Sequence, residues 1–561
     1  MEYTGARILI EELVAHGVDT IFGYPGGTVL DIYDELYKNS DRITHVLSAH
    51  EQGASHAADG YARASGKVGV VLATSGPGST NLVTGIANAY LDSTPMVAIT
   101  GNVTAPLLGK DSFQEVDIVG ITQPIVKHNF VVRDVKHLKS TLRQAFALAS
   151  SGRPGPVLVD ISKTVQNTTC EYECTPIEPA SKLARVVPDF DPADQRQAAA
   201  FSAALDAIAR GARPYIYCGG GVIASGAEAE VLELSQRLSA PVGLSMMGLT
   251  AVPYDYELNL GMTGMHGRHQ SSRIHSQADV IIAIGVRFSD RATGDVREYA
   301  KDRTIIHIDI DEAEVNKNVP VDISLVGDAK QVLQALLAQV KPAHNDEWAA
   351  TIATAKAAER DRNPVKFNPQ TIIRAVNKHF GPDTVVATDV GQHQMWVMQN
   401  YVFKKPRTLL TSGGLGTMGF GMGAAIGGSF ATGKAPTLLF TSDGSFGMNL
   451  NEMATAVSQK LPLVIILLNN GVLGMVRQWQ TMFYAERYSQ TTLDRKTDFV
   501  KLAEAFGAKG CRATSLDELE AILAHELTAD GPCLIDCHID QDERVLPMIP
   551  PGGTINDIVL D

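Results

Sequence analysis

Residues 57–102 and 424–469 are two copies of one pattern, in register without a gap at an offset of 367 residues. Ala57, Gly60, Gly66, Lys67, Leu72, Thr74, Ser75, Pro95, Val97, Ile99 and Asn102 recur as Ala424, Gly427, Gly433, Lys434, Leu439, Thr441, Ser442, Pro462, Val464, Ile466 and Asn469. A repeat of that length limits the fold severely, because each copy has to be the same supersecondary unit. Each reads as an apolar strand (VGVVLATS, PTLLFTS), a tight turn (GPGST, DGSFG), a helix, a proline and a second apolar strand (MVAITG, LVIILL). Strands that are apolar throughout, joined through a helix, are the mark of a βαβ unit in a parallel sheet covered on both faces. The two ends of the chain are therefore expected to be related α/β domains.

The stretch between them alternates in the same way, with GARPYIYCGGGVIASGAEAEVLELSQRL, ADVIIAIGVRFSD and RTIIHIDIDEAEV. The fold class expected is α/β, with three parallel-sheet domains at residues 1–165, 190–340 and 369–561, the first and third related by internal duplication. Residues 166–192 and 341–369 break the pattern and read as linkers. A length of 561 residues with 45% hydrophobic content suffices for several cores. The net charge of −14 argues against nucleic acid as a partner. No apolar run reaches the ~18 residues that a membrane helix needs, and the start, MEYTGARILIEELVAHG, reads as an amphipathic helix rather than a targeting peptide. The six cysteines, at 170, 174, 218, 511, 533 and 537, show no CxxC pair. Reduced thiols and a cytoplasmic location are expected.

The second copy carries a carboxylate, Asp443, at the end of its first strand, where the first copy has Gly76. The fold does not need that acid. The next strand ends on Asn469 and Asn470, and in a βαβ unit the ends of adjacent parallel strands come together, so Asp443 and Asn470 can offer two hard oxygens to one cation. Magnesium takes oxygen ligands and shares them with phosphate oxygens, and ligands of open α/β sheets gather at these strand ends. The competing reading is that Asp443 caps the helix that follows it.

Asp443-Gly444 followed at this spacing by Asn469-Asn470 resembles the cofactor signature of thiamine diphosphate enzymes. The resemblance implies magnesium held by Asp443, Asn470 and the carbonyl of Val472. It also implies an activating glutamate, and HEQGA is similar to that motif, with Glu51 as the acid. Burial would keep such a carboxyl protonated and its proton exchangeable.

Further stretches across nearly the whole chain resemble the catalytic large subunit of acetohydroxyacid (acetolactate) synthase. GYPGG places Gly26 against the cofactor's thiazolium ring, and GKDSFQEVDIVGIT places Phe113 and Gln114 at the substrate entrance. GRPGPVLVDISK ends on Lys163, similar to the family's active-site lysine. Pro77 and Asn81 in the first turn, Val390, Gly391, Gln392 and His393 around GQHQMW, and Gly416 and Met418 in GLGTMGFGMGAA look like cofactor contacts, as do Gly444, Ser445, Gly474 and Met475. In MVRQWQ, Val476 and Trp479 resemble the pair that sizes the substrate, and VLPMIPPGG resembles a C-terminal lid. The middle domain resembles the family's FAD-bearing domain. The positions that carry this likeness are Gly219, Gly220, Gly221, Gly264, Met265, His266, Gly285, Arg287, Asp309, Gly327 and Asp328. The chain has RFSDR, with Ser289 where the family's RFDDR carries an acid, and Arg291 is in place to pair with a substrate carboxylate.

The resemblance implies that pyruvate is decarboxylated on thiamine diphosphate and its two-carbon unit passed to a second 2-ketoacid, pyruvate or 2-ketobutyrate, in branched-chain amino-acid biosynthesis. FAD would be structural, because the net reaction moves no electrons. A homodimer or homotetramer is implied, with a small regulatory subunit as a further partner. Two rivals stand beside this reading: a catabolic, flavin-free acetolactate synthase and a non-catalytic cofactor-binding homologue. GVRFSDR and GMHG weigh against the first, and the presence of Glu51, Asp443 and Asn470 against the second.

Overall fold

The protein is described by a computed structural model that covers residues 1–177, 189–359 and 366–560. Three six-stranded sheets, parallel throughout, form its frame. The first runs Thr44–Leu47, Thr20–Gly23, Gly69–Ala73, Met96–Asn102, Pro156–Ser162, His128–Val132. The third runs Leu409–Leu410, Val385–Thr388, Thr437–Ser442, Leu463–Asn469, Cys533–His538, Lys509–Ala513. These orders correspond strand for strand, and the repeated βαβ units occupy the same central places in both. The middle sheet is ordered Asn259–Met262, Val242–Leu244, Pro214–Cys218, Val280–Ile284, Thr304–Asp309, Ile323–Val326.

The duplicated domains pack on each other through equivalent helices, Glu51–Ser65 and Phe420–Ala431. A side chain on Gly60 would strike the carbonyl of Ala424, and one on Gly427 the carbonyl of Ala57. Those two contacts are each other's repeat images. The ring of His56 meets that of Phe420 at 5.3 Å, and Gly423 faces Gly53, again an exchanged pair. A contact in which i meets j while the copy of j meets the copy of i is isologous, so the two domains are related by a pseudo-two-fold axis between these helices. The small residues shared by the copies serve this approach of backbone on backbone.

Both linker stretches contain more structure than their sequence suggests. Thr169–Glu171 is a strand pairing antiparallel with Glu2–Thr4. Asp346–Ala357 is a helix capped by Asn345 and docked on the middle domain by buried Trp348, whose Nε1 donates to the carbonyl of Pro214 at 3.1 Å. Trp348, Ile352 and Ala355, spaced i, i+4 and i+7, form the narrow buried face of this helix. Residues 178–188 and 360–365 of these stretches lie outside the described residues. Among the described residues no helix is long and apolar enough to cross a membrane.

Candidate functional site

Asp443 opens a short helix, Asp443–Phe446, at the end of the strand Thr437–Ser442. Capping falls to its neighbour: the Ser442 side chain accepts from the Ser445 amide. Asp443 is thus free of that task, and although it is buried its Oδ1 has no hydrogen-bond partner. Burial pushes its pKa up to about 6, against the pull of the Gly444 and Gly471 amides. A carboxylate so placed calls for a cation. Asn470 stands at the next strand end, its Oδ1 accepting from the Val472 amide at 3.3 Å and its Nδ2 donating to Gln392 at 3.5 Å. No cluster of three or more His, Cys, Asp or Glu suited to a metal occurs among the described residues. One carboxylate, an amide oxygen and a carbonyl suit magnesium shared with a diphosphate.

The turns around this point converge. The Ser445 hydroxyl donates to the carbonyl of Val390 at 2.7 Å, Gly391 precedes the helix Gln392–Asn400, and Gly416 has φ +71° in the loop that carries Met418. The terminal methyl of half-buried Met418 reaches towards Gly444, where any side chain would meet Leu473 at 2.8 Å. Gly474 leaves room for the Gln392 amide. His393 is buried with Nε2 unpartnered, and burial holds its pKa down to about 3. Such a set of small residues and orphaned polar atoms fits a bound diphosphate.

A second cluster lies on the first domain. Asn81 Nδ2 donates to Glu51 Oε2 at 3.0 Å, and Glu51 is the first residue of its helix. Pro77 is the first residue of the helix that ends on Asn81. Gly26 lies so close to Thr74 that a Cβ would stand 2.5 Å from it, and Lys163 Nζ donates to the carbonyl of Gly27 at 3.0 Å. The Gln114 backbone, at φ +59°, covers Gly76, and Phe113 is 88% exposed.

A cavity of about 1700 Å³ runs between the middle and third domains and touches the first. Gly220, Gly221, Met265, His266, Gly285, Arg287, Asp309 and Asp328 line its middle-domain wall, and Val390, Gly391, Gly416, Met475, Val476 and Trp479 its far end. Its volume exceeds the ~300–1,000 Å³ of ordinary ligand pockets. Gly219, Gly264 and Gly327 do not line it. Gly219 packs against the carbonyl of Gly285, a Cβ on Gly264 would stand 2.6 Å from the carbonyl of Arg291, and Gly327 faces Phe190. A side chain at Gly219 or Gly264 would collide with backbone, and one at Gly327 would meet the Phe190 side chain. Asp328 caps the helix Ala329–Leu337 through the amides of Lys330 and Gln331. Burial raises Asp309 to about 6, lowers His266 to about 4, and leaves His266 Nδ1 without a partner. At the mouth, the Arg291 guanidinium lies 5.5 Å over the Trp479 ring and its Nη1 is 3.6 Å from Met265 Sδ.

Sequence reasoning passed over several residues that hold this cavity in shape. Asp92 accepts from the amides of Gly413 (3.0 Å) and Gly414 (2.6 Å) and pairs with half-buried Arg63 (3.0 Å), tying the Gly416 loop to the first domain. Arg153, on the cavity wall, pairs with Glu314 at 2.6 Å. Arg153 stands in the quoted GRPGPV stretch, but no spacing rule marks it or Asp92.

The N-terminal TPP binding domain of thiamine pyrophosphate enzymes matches residues 3–121, the central domain residues 201–336 and the C-terminal TPP binding domain residues 389–537. The chain is 45% identical to a probable acetolactate synthase large subunit of Methanocaldococcus jannaschii, over 99% of this chain and 95% of the relative. It is 42% identical to the acetolactate synthase isozyme 3 large subunit of Escherichia coli, over 99% and 98%. It is 43% identical to the acetolactate synthase large subunit of Buchnera aphidicola from Schizaphis graminum, again over 99% and 98%. The chain belongs to the acetolactate synthase large-subunit family. As a member of that family it is a thiamine diphosphate-dependent enzyme, and the turn around Asp443 falls within its C-terminal TPP binding domain.

Proposed function

We propose that this acetolactate synthase-family chain decarboxylates pyruvate and transfers the two-carbon unit to a second 2-ketoacid, pyruvate or 2-ketobutyrate. The observation that carries the residue assignment is the buried, unpartnered Oδ1 of Asp443 beside Asn470. Asp443, Asn470 and the carbonyl of Val472 would hold magnesium. Gly444, Ser445, Gly474, Val390, Gly391, Gln392 and His393 would surround the diphosphate, with Met418 supporting the ring system. Thiamine diphosphate, when bound, supplies the electron sink for decarboxylation and carbon–carbon bond formation. Glu51, steadied by Asn81, holds the proton that activates the cofactor. Gly26, Phe113, Gln114 and Lys163 line the approach of substrate.

Arg291 supplies a planar guanidinium for the second substrate's carboxylate, while Trp479 and Val476 wall the space for its alkyl end. FAD would occupy the middle-domain part of the large cavity, where Asp309, His266 and Arg287 would offer it polar contacts. Its role is structural, since the overall reaction is redox-neutral.

Glu51, Gly26, Phe113, Gln114 and Lys163 do not line the cavity that reaches Trp479. That separation, together with the exposure of Phe113, supports sites shared between two copies of the chain, so that a homodimer is the smallest active unit and a tetramer a further assembly. Relatives named as large subunits support a small regulatory subunit as partner. A cytoplasmic location follows from the reduced-thiol reading of the cysteines.

The test is direct. Purified protein with pyruvate, magnesium and thiamine diphosphate should form acetolactate, read as acetoin after acidification, and should carry flavin absorbance. Asp443→Ala should abolish magnesium-dependent cofactor binding, measured by tryptophan fluorescence. Turnover without flavin would favour the catabolic rival, and no turnover with cofactor bound would favour the non-catalytic one.

A further inference from the structure

Glu452 is a carboxylate of the third domain with no exposed surface, nine residues after Asp443, and it reaches across the domain boundary to the turn before Glu51. Its Oε1 accepts from the amides of Ala49 (3.1 Å) and His50 (3.0 Å), its Oε2 from Ala49 (3.2 Å) and from the Thr455 hydroxyl (2.6 Å). Those two amides fall between the strand Thr44–Leu47 and the helix that begins at Glu51, so neither sheet nor helix supplies them an acceptor. Gly53 completes the fit, because any side chain there would run into the Glu452 carboxylate.

Burying a carboxylate is costly, and burial raises its pKa despite four hydrogen bonds. The duplication shows that the fold does not demand it. The position equivalent to 452 in the first copy is Gly85, which carries no acid and packs against the Ser55 side chain of its own domain.

We propose that Glu452 is a positioning residue for Glu51, fixing the backbone turn from which the activating acid projects. The inference rests on the reading of Glu51 given above. With both amides anchored, the start of the helix cannot shift, and the Asn81 amide meets Glu51 Oε2 in a single arrangement. Without the anchor, the turn relaxes and the proton-bearing oxygen moves. A displacement near 1 Å at a reacting group costs roughly 10²-fold in rate.

The test uses the full chain with magnesium and thiamine diphosphate, comparing wild type with Glu51→Gln, Glu452→Ala, Glu452→Gln and Thr455→Val. The readouts are cofactor affinity by tryptophan fluorescence, the hydrogen–deuterium exchange rate of the cofactor's C2 proton at saturation without pyruvate, and KM against kcat. Glu452→Ala should slow C2 exchange and kcat together by roughly 10²-fold, with cofactor affinity and KM unchanged. Glu452→Gln keeps the oxygen that serves Ala49 and His50 and should restore most of the rate. Thr455→Val, which keeps the carboxylate but frees its orientation, should fall between, and it carries the test if the alanine variant does not fold. Wild-type exchange rates in Glu452→Ala or, failing its folding, in Thr455→Val would overturn the proposal. So would a slowing fully explained by lost cofactor affinity, the mark of a merely structural contact. If Glu51→Gln itself exchanges at the wild-type rate, the reading of Glu51 falls and takes this inference with it.

Discussion

Trp479 stands between two partners, the Phe483 ring at 5.6 Å and the Arg291 guanidinium at 5.5 Å. Its spacing from Val476 puts both residues on one face of the helix Gly474–Phe483. Val476 is 52% exposed, so the pair forms a wall rather than core. One methylene distinguishes 2-ketobutyrate from pyruvate, worth ~1–3 kcal/mol in a well-fitted pocket. Trp479→Leu should keep acetolactate formation and lose the preference for 2-ketobutyrate; the product ratio with mixed substrates measures it, and an unchanged ratio would remove Trp479 from that role. The pairing of Trp479 with Arg291, by contrast, joins residues 188 positions apart and was not legible in either motif.

Two contacts between elements carry consequences of their own. The approach of the helices Glu51–Ser65 and Phe420–Ala431 is close enough that Gly427 cannot bear a Cβ without displacing the Ala57 carbonyl. Gly427→Ala should therefore destabilise the protein by ~1–3 kcal/mol through overpacking, read by urea unfolding. Gly381→Ala, at an open position, should not. The second contact latches the C-terminal segment. Gln478 accepts at Oε1 from the amide of Val545 (2.9 Å) and from Gln392 Nε2 (3.0 Å), and its Nε2 donates to the Val545 carbonyl (3.2 Å). Gln392 donates in turn to the carbonyl of Glu543 (2.9 Å) and accepts from Asn470. Gln478→Ala should release residues 543–548 and speed their cleavage by protease in limited digests, while the cores of the three sheets stay resistant.

At the scale of the whole molecule, shared sites predict complementation. Glu51→Gln and Asp443→Ala should each be nearly inactive alone. Co-expressed, half the dimers mix, and one of the two sites in a mixed dimer is intact, so about a quarter of all sites should recover. No recovery in verified heterodimers would mean that one chain supplies both halves. Acid should also weaken the fold. Burial lowers His56, His275 and His393 to about 3 and His16, His45 and His266 to about 4. Unfolded histidines bind protons below ~6.5 while these remain neutral, so their contribution to stability is present above that pH and is lost as pH falls towards 4. Asp309, Asp389 and Asp443, each raised to about 6, act in the opposite sense, as do Asp160, Glu228, Glu452 and Glu543, which burial also raises, but the histidines take effect from the higher pH. Urea midpoints should fall from pH 6.5 to 5, and a midpoint flat across that range would contradict the balance.

The sequence by itself determined the repeated βαβ units, the parallel sheets and the residue types at the strand ends, because those follow from local periodicity and from spacing inside one unit. It marked Asp443 and Asn470 as a pair for the same reason: adjacent parallel strand ends are neighbours whatever the rest of the chain does. It left open whether Asp443 capped its helix, and the Ser442 hydroxyl decided that. The helix Asp346–Ala357 and the reach of Asp92 and Glu452 from one domain to another were decided only by tertiary structure. Each depends on surfaces that meet across separations from 134 residues, for Trp348 and Pro214, to 403, for Glu452 and Ala49, and a carboxylate that serves distant backbone amides has no periodicity for a sequence to display.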